Sequence, residues 1–272
     1  FIPLKALKIS LLQKEENIVI INNILGRSEA GMKKGFTLAE VLITLGIIGV
    51  VAAMTMPTVL SNYRKSQVVN NLKKDVAIFS QAIQMAEAKH GFMSDWELCE
   101  NTNDPQCTKD FFEKYFEPEL KIIKKCIPAS EECWTRQKSL SGNLGDFTSK
   151  EIAGVLSNGT SFRFWLGNEL NDAGKTVQHI NIYIDIDGPK KGLATIGGDI
   201  FNIVIGWDDS LTVQKGVNLR GINRNTPFRE DIINHAQHGC SKDIANTHTG
   251  LFCGGLIQHD GWKIPDDYPF KF

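Results

Sequence analysis

The apolar and polar positions of this chain first form a run of twenty uncharged residues, from Val41 to Leu60. At about 1.5 Å per residue, a helix of this length covers about 30 Å, which is the thickness of the hydrocarbon core of a bilayer. Buried helices of soluble domains rarely run so far without a charge. The run therefore predicts one membrane-spanning helix.

A second pattern follows, in which apolar residues recur three and four positions apart and polar residues occupy the other faces. It predicts an amphipathic helix over residues 61–90 that packs on a globular domain and ends at Gly91. A coiled coil with another subunit is the alternative, although only about three heptads are present. The apolar face consists of Val69, Leu72, Val76, Phe79, Ile83 and Ala86.

The globular part contains segments that are typical of β-strands. Ile152–Leu156 and Ser161–Leu166 flank Asn158-Gly159, a turn pair that tolerates positive φ, and together they predict a β-hairpin. His179–Ile186 alternates between apolar and polar residues, and Ile200–Ile205 is a further predicted strand. The expected fold is α+β, with a long N-terminal helix packed on an antiparallel sheet.

Composition and charge limit the classes of function that this protein can have. The chain has 272 residues, with 30 basic and 31 acidic side chains and a formal net charge of -1. This balance excludes a protein that binds nucleic acid through a globally basic surface. No phosphate-binding loop, nucleophile elbow or metalloprotease helix motif is present, so we expect a protein that is not an enzyme.

The beginning of the chain is unusual because its first methionine is Met32. We expect residues 1–31 to be an upstream extension that is not part of the natural product. Residues 32–35 then form a short leader whose basic residues are Lys33 and Lys34.

Two interpretations of the apolar run compete. In the first, it is the core of a secretory signal peptide that is cut after Ala53, which would release a secreted, disulfide-bonded binding protein. Glu40 argues against this interpretation, since a carboxylate at mid-membrane depth costs about 2.5 to 3.5 kcal/mol and a targeting signal gains nothing from it.

The second interpretation accounts for Glu40. The sequence Gly35-Phe36-Thr37-Leu38-Ala39-Glu40, at the start of the uncharged run, resembles the processing site of type IV pilins and type II secretion pseudopilins. The resemblance implies that prepilin peptidase cuts between Gly35 and Phe36 and methylates the new amine of Phe36. It also implies that Glu40 sets the register of assembly by meeting the amine of a neighbouring subunit, and that Pro57 kinks the helix by removing a backbone donor.

The same resemblance implies a structural, pilin-like subunit. Residues 36–60 would form a transmembrane helix that later enters a filament core, and residues 91–272 would form an exported head. The expected location is the bacterial inner membrane, with the N-terminus cytoplasmic, and then a periplasmic or extracellular filament. Expected partners are other pilin or pseudopilin subunits, prepilin peptidase, an inner-membrane assembly platform and membrane lipid. Nucleic acid is expected only if the filament serves DNA uptake, and no cofactor is expected.

All six cysteines lie beyond the predicted span, where an oxidising compartment would favour disulfides. Fifteen pairings are possible. We favour the pairing of sequence neighbours, because each of these loops is short enough to form early. These pairs are Cys99 with Cys107, Cys126 with Cys133, and Cys240 with Cys253.

Four histidines lie near the last two cysteines, which raises a zinc hypothesis. The candidate ligands are His235, His238, Cys240 and Cys253, since thiolates and imidazoles suit zinc. Their spacing matches no common zinc pattern, so a disulfide-closed loop with solvated histidines is favoured.

Three aspartates raise a calcium hypothesis. Asp185, Asp187 and Asp199 could bind calcium, as a carboxylate-rich loop does in some pseudopilin heads. The calcium-loop spacing is absent, however, and a plain turn in which glycine and proline set the backbone is favoured.

Overall fold

The computed structural model describes residues 36–145, 150–170, 173–189, 192–207, 213–223 and 226–272. The upstream extension and the leader, including Lys33, Lys34 and Gly35, lie outside the described residues. The chain divides into two units, Phe1–Thr55 and Met56–Phe272.

The longest element is helix α1, Leu38–His90, which has 53 residues. The predicted helix is thereby confirmed. Its amphipathic part buries Val69, Leu72, Phe79 and Ala86, as predicted. Gly91 ends the helix with φ at 82°, a left-handed conformation that glycine adopts at little cost, and its N–H donates to the carbonyl of Glu87 at 3.0 Å.

The remaining helices are short. They comprise 3₁₀ turns at Met93–Asp95 and Glu117–Glu119 and the helices α2 (Pro105–Tyr115), α3 (Arg229–Asn234) and α4 (Cys253–His259). The Asp104 side chain accepts a hydrogen bond from the N–H of Gln106 and Pro105 holds the first position, so α2 has a typical N-terminus.

In the described part of the chain, the main sheet consists of six strands: β1 (Ile122–Cys126), β4 (Ile152–Leu156), β5 (Ser161–Leu170), β6 (Thr176–Asp185), β8 (Ile200–Gly206) and β9 (Gly216–Leu219). Their order in the sheet is β1-β4-β5-β6-β8-β9, and every neighbouring pair is antiparallel. The predicted hairpin is β4 and β5, with Ile152 opposite Phe164. The other two predicted strands are confirmed as β6 and β8, each with slightly different ends.

A second sheet has three strands in the order β3-β2-β7. These strands are β2 (Arg136–Lys138), β3 (Leu144–Gly145) and β7 (Leu193–Thr195). Strands β2 and β7 are parallel, unlike any pair in the main sheet. The sequence did not predict this sheet, because strands of two or three residues carry no readable alternation.

One face of the main sheet forms the core with α1 and α2. The Phe79 ring of α1 meets the Phe162 ring of β5 edge-on, with centroids 6.0 Å apart. Phe112 of α2 lies 5.8 Å from Phe162 and 5.0 Å from Phe164. These aromatic contacts fix α1 on β5, and such pairs each add about 0.5 to 1.5 kcal/mol beyond the burial of their area.

The opposite face of the main sheet buries a charged side chain. Arg163 of β5 is 1% exposed, and its Nη1 donates to the Glu151 carboxylate at 3.0 Å. Its guanidinium lies 4.9 Å from the ring centroid of Trp134 and 4.8 Å from that of Tyr183. The ion pair and the two rings compensate for the lost hydration of the cation.

The last residues of the chain pack back on the head. The Tyr268 hydroxyl donates to the carbonyl of Gly197 at 2.6 Å, and the ammonium of Lys73 on α1 lies 5.4 Å from the Trp262 ring centroid. The C-terminal segment thereby contacts both α1 and the loop before β8.

Asp75 is a carboxylate on the buried face of α1, and its side chain is fully buried. It accepts hydrogen bonds from Asn158 Nδ2 at 2.8 Å and from the Thr160 hydroxyl at 3.0 Å, both in the turn of the β4–β5 hairpin. Burial raises its pKa to about 6, although these two hydrogen bonds oppose the rise. Asp75 therefore ties α1 to the hairpin turn through polar contacts.

This geometry predicts a pH-dependent contribution to stability. The pKa of about 6 in the folded protein exceeds the ordinary 3.8, so the stability that Asp75 contributes is full below pH 3.8 and is lost as the pH rises through 6. Asp75→Asn mimics the protonated side chain and should remove that loss. Asp75→Ala leaves two donors without their acceptor and should cost about 1 to 3 kcal/mol at every pH.

The measurement is the free energy of unfolding of the full chain in detergent, by urea denaturation between pH 4 and pH 7. If Asp75→Asn loses as much stability as the wild type over this range, the assignment to Asp75 is wrong.

Candidate functional site

The first described residues form a capping box at the start of α1. Glu40 Oε2 accepts hydrogen bonds from the Thr37 N–H at 2.8 Å and from the Thr37 hydroxyl at 2.9 Å. In return, the Glu40 N–H donates to the Thr37 hydroxyl oxygen at 3.2 Å. Thr-x-x-Glu is the usual sequence of this motif, so Thr37 and Glu40 determine where the helix begins.

The resemblance to pilins does not imply this local role of Glu40, but the Thr37-x-x-Glu40 spacing is a sequence signal for it. Both Thr37 donors use Oε2, and Oε1 makes no hydrogen bond to any described residue. The side chains of Phe36 and Glu40 are exposed. The carboxylate can therefore cap its own helix and still accept a donor from another molecule.

The helix surface after the capping box is apolar and exposed. Of the helices in the described part of the chain, α1 is the one that is long and apolar enough to cross a membrane. The hydroxyls of Thr44 and Thr55 donate to the carbonyls of Val41 and Val51, so neither presents an unsatisfied donor to an apolar surrounding.

Pro57 and the alternative cleavage site both lie inside α1. The helix continues through Pro57, whose missing N–H leaves the carbonyl of Ala53 without its usual partner. A kink at Pro57 stays a prediction.

The three predicted disulfides are confirmed. Cys99 is bonded to Cys107, Cys126 to Cys133, and Cys240 to Cys253. Each closes a short loop, as the sequence spacing suggested.

The zinc hypothesis is wrong. Cys240 and Cys253 are bonded to each other, so neither offers a thiolate to a metal. The rings of His235 and His238 stack with centroids 5.2 Å apart, and His238 also lies 5.4 Å from Phe252.

The three calcium candidates line one cavity of about 210 Å³. Burial raises the pKa of Asp185 to about 7, and the nearby carboxylates of Asp199 and Asp187 add to the rise. Asp185 accepts a hydrogen bond from the N–H of Asp187 at 3.2 Å, and Asp199 accepts one from the N–H of Thr195 at 3.0 Å. These contacts belong to the turns themselves, and calcium binding stays a prediction.

The histidines beside the last disulfide form a partly buried cluster. Burial, and then the guanidinium of Arg220, lowers the pKa of His238 to about 3. The same two causes, in the same order, lower the pKa of His235 and of His248. These imidazoles are therefore neutral at neutral pH.

The comparisons with known proteins identify the class first and the family second. Residues 31–56 match the prokaryotic N-terminal methylation motif, which confirms the resemblance to type IV pilins and pseudopilins. The protein is thus pilin-like, with a peptidase-processing motif before an apolar helix and an α+β head. Residues 58–144 and 208–272, more than half of the chain, match a family of unknown function, DUF6613, and the chain belongs to that family. No curated protein and no solved structure matches the chain.

The two matched segments cover some parts of the head and leave out the residues between them. They contain all six cysteines, Arg220 and the C-terminal tail. The residues between them, 145–207, carry strands β4 to β8. The match to this family thus covers the part of α1 from residue 58 onward and the disulfide-bonded parts, and it leaves out the middle of the main sheet.

The histidine cluster predicts that acid destabilises the head. Because the pKa of His238 is about 3 in the folded protein and ordinarily 6.5, the unfolded chain takes up its proton first. Stability should fall as the pH drops below 6.5, by up to about tenfold in the unfolding constant per pH unit for each histidine that stays neutral. Asp75 and Asp185 oppose this trend, so the test compares variants.

His238→Asn should lose less stability than the wild type between pH 6.5 and pH 4, measured by denaturant unfolding followed through tryptophan fluorescence. The exposed His90 offers a matched control, and His90→Asn should keep the wild-type dependence. Parallel curves for His238→Asn and the wild type would contradict the prediction.

Proposed function

We propose that this protein is a structural subunit of a pilin-like filament, either a type II secretion pseudopilus or a type IV pilus. The observation that carries the proposal is the methylation motif at residues 31–56, joined to an exposed apolar helix that begins at a Thr37–Glu40 capping box. In this proposal, prepilin peptidase cuts between Gly35 and Phe36 and methylates Phe36.

Cleavage creates an ammonium at Phe36, four residues before the carboxylate of Glu40. In a filament of staggered helices, the ammonium of one subunit pairs with Glu40 of its neighbour. The capping box supports this role, because it holds the carboxylate at the helix start while Oε1 accepts no donor from the described residues. A desolvated charge without a partner costs several kcal/mol, so subunits out of register are penalised.

The proposed location is the inner membrane, with the N-terminus cytoplasmic and the head exported. Three disulfides in the head support this orientation, because they persist in oxidising compartments. The proposed partners are other pilin or pseudopilin subunits, prepilin peptidase, the assembly platform and membrane lipid. A DNA contact is expected only if the filament takes up DNA.

The proposed cleavage predicts the N-terminal residue of the mature protein. Mass spectrometry of the mature protein, purified from cells that contain prepilin peptidase, should find methylated Phe36 as the N-terminal residue. Cells without the peptidase should yield the uncut chain. A mature terminus at Met54 would contradict the proposal and would instead support a secreted protein released after Ala53.

An assembly assay can separate the two roles of Glu40, which caps its own helix and supplies a charge for the register of subunits. Glu40→Gln keeps an oxygen that can accept the Thr37 hydrogen bonds, since Gln also serves in capping boxes, but it removes the charge. Glu40→Ala removes both. If the charge sets the register, both variants should reach the membrane at wild-type levels and enter filaments about tenfold less well or worse.

The measurement is the amount of each variant in the membrane fraction and in the sheared filament fraction. Thr37→Ala is the matched control, because it weakens the cap and keeps the carboxylate, and it should assemble better than Glu40→Gln. Normal assembly of Glu40→Gln would show that the charge is dispensable.

A further inference from the structure

A cavity of about 310 Å³ lies in the head, beside the loop that the Cys240–Cys253 disulfide closes. This volume is at the lower end of the range for ligand pockets, about 300 to 1,000 Å³. The side chains that matter for its chemistry are Glu169, Arg220, Thr226, His235, His238 and Phe252. The cavity is remote in sequence from the N-terminal assembly motif.

Among the described residues that line this cavity, Arg220 supplies the positive charge. Its side chain is partly buried, and Nη1 donates to Asn181 Oδ1 at 2.9 Å. Among the described residues, no carboxylate lies within ion-pair distance of its guanidinium; Glu169 lines the cavity as well, but the two form no ion pair. A partly desolvated cation with one neutral partner favours a site for an external anion.

The positive charge of Arg220 affects the pKa values of the histidines around the cavity. Burial, the largest cause in each case, and the charge of Arg220 both lower the pKa of His179 on β6, of His235 and His238 just before the disulfide loop, and of His248 within it. At His179, Glu169 on β5 opposes the effect. Each neutral imidazole keeps one N–H donor.

We propose that this cavity binds a small oxyanion of the phosphate or carboxylate class, held by the Arg220 guanidinium and the imidazoles of His235 and His238. The planar guanidinium presents its donors as a fork that matches two oxygens of one anion, and a lysine could not do so. Phe252, whose ring centroid lies 4.6 Å from that of His235 and 5.4 Å from that of His238 in tilted arrangements, lines the apolar side of the cavity.

Anion binding and proton uptake are coupled at this site. A bound anion offsets the charge of Arg220 and favours protonation of His235, His238, His248 and His179. By reciprocity, protonation of these imidazoles strengthens the binding of the anion. The site therefore binds its anion more tightly as the pH falls, and Glu169 limits the effect because it also carries a negative charge.

The test uses the full chain in detergent micelles, with its histidines isotopically labelled for NMR. Inorganic sulfate is the probe for pH dependence because its charge does not change in this range. Sulfate should shift the resonances of His235 and His238 and raise their pKa, whereas sodium chloride at equal ionic strength should not. The affinity should increase about fivefold or more from pH 7.5 to pH 5.5. His90, at the end of α1, serves as the internal reference.

Two variants each remove one positive charge and can be compared directly. Arg220→Gln should weaken sulfate binding about tenfold or more, and Lys242→Gln, an exposed lysine in the same disulfide loop, should bind within about twofold of the wild type. Separate titrations with inorganic phosphate and with acetate distinguish a phosphate-type ligand from a carboxylate.

The wild-type protein alone can overturn the proposal, whether or not Arg220→Gln folds. If sulfate, phosphate and acetate at 50-fold molar excess produce no more change in His235 and His238 than chloride does, the cavity is not an anion site. Equal binding by Arg220→Gln and the wild type would also refute it. Neither result depends on filament assembly.

Discussion

The apolar side chains of α1 between Val41 and Leu60 are exposed, and water is a poor solvent for a surface of this kind. A lipid bilayer or the packed helices of a filament can cover it. Both surroundings are intolerant of unpaired polar groups, which is why the hydroxyls of Thr44 and Thr55 are bonded to the helix backbone. Both surroundings must also accommodate the carboxylate of Glu40, which lies at the edge of this surface.

The head has a different requirement, because it must hold the second half of α1 on a sheet. Phe79 and Phe162 supply the apolar contact, and Asp75 adds two hydrogen bonds to the hairpin turn. Three disulfides close local loops, and Arg163 is buried between Trp134 and Tyr183 on the other face. One face of the sheet is thus packed mainly by aromatic contacts with α1 and α2, and the other buries an arginine against two aromatic rings.

Features with a local signal could be predicted from the sequence. The uncharged run and the apolar spacing gave α1, Asn158-Gly159 gave the hairpin, and short spacings gave the disulfides. Asp75 looked like an ordinary polar residue, because its partners Asn158 and Thr160 lie more than eighty residues away in sequence. The anion cavity was equally hidden, since Arg220 and His238 meet only after folding. The zinc hypothesis failed because the same cysteines that could bind a metal could also bond to each other.

In the proposed filament, the N-terminal amine of one subunit pairs with Glu40 of the next. An electron cryomicroscopy reconstruction of assembled filaments that contain this subunit would show whether this pair forms. We expect the methylated amine of Phe36 within about 4 Å of the Glu40 carboxylate of a neighbouring subunit. A filament in which Glu40 bonds only to its own Thr37 and the Phe36 amine lies elsewhere would contradict it.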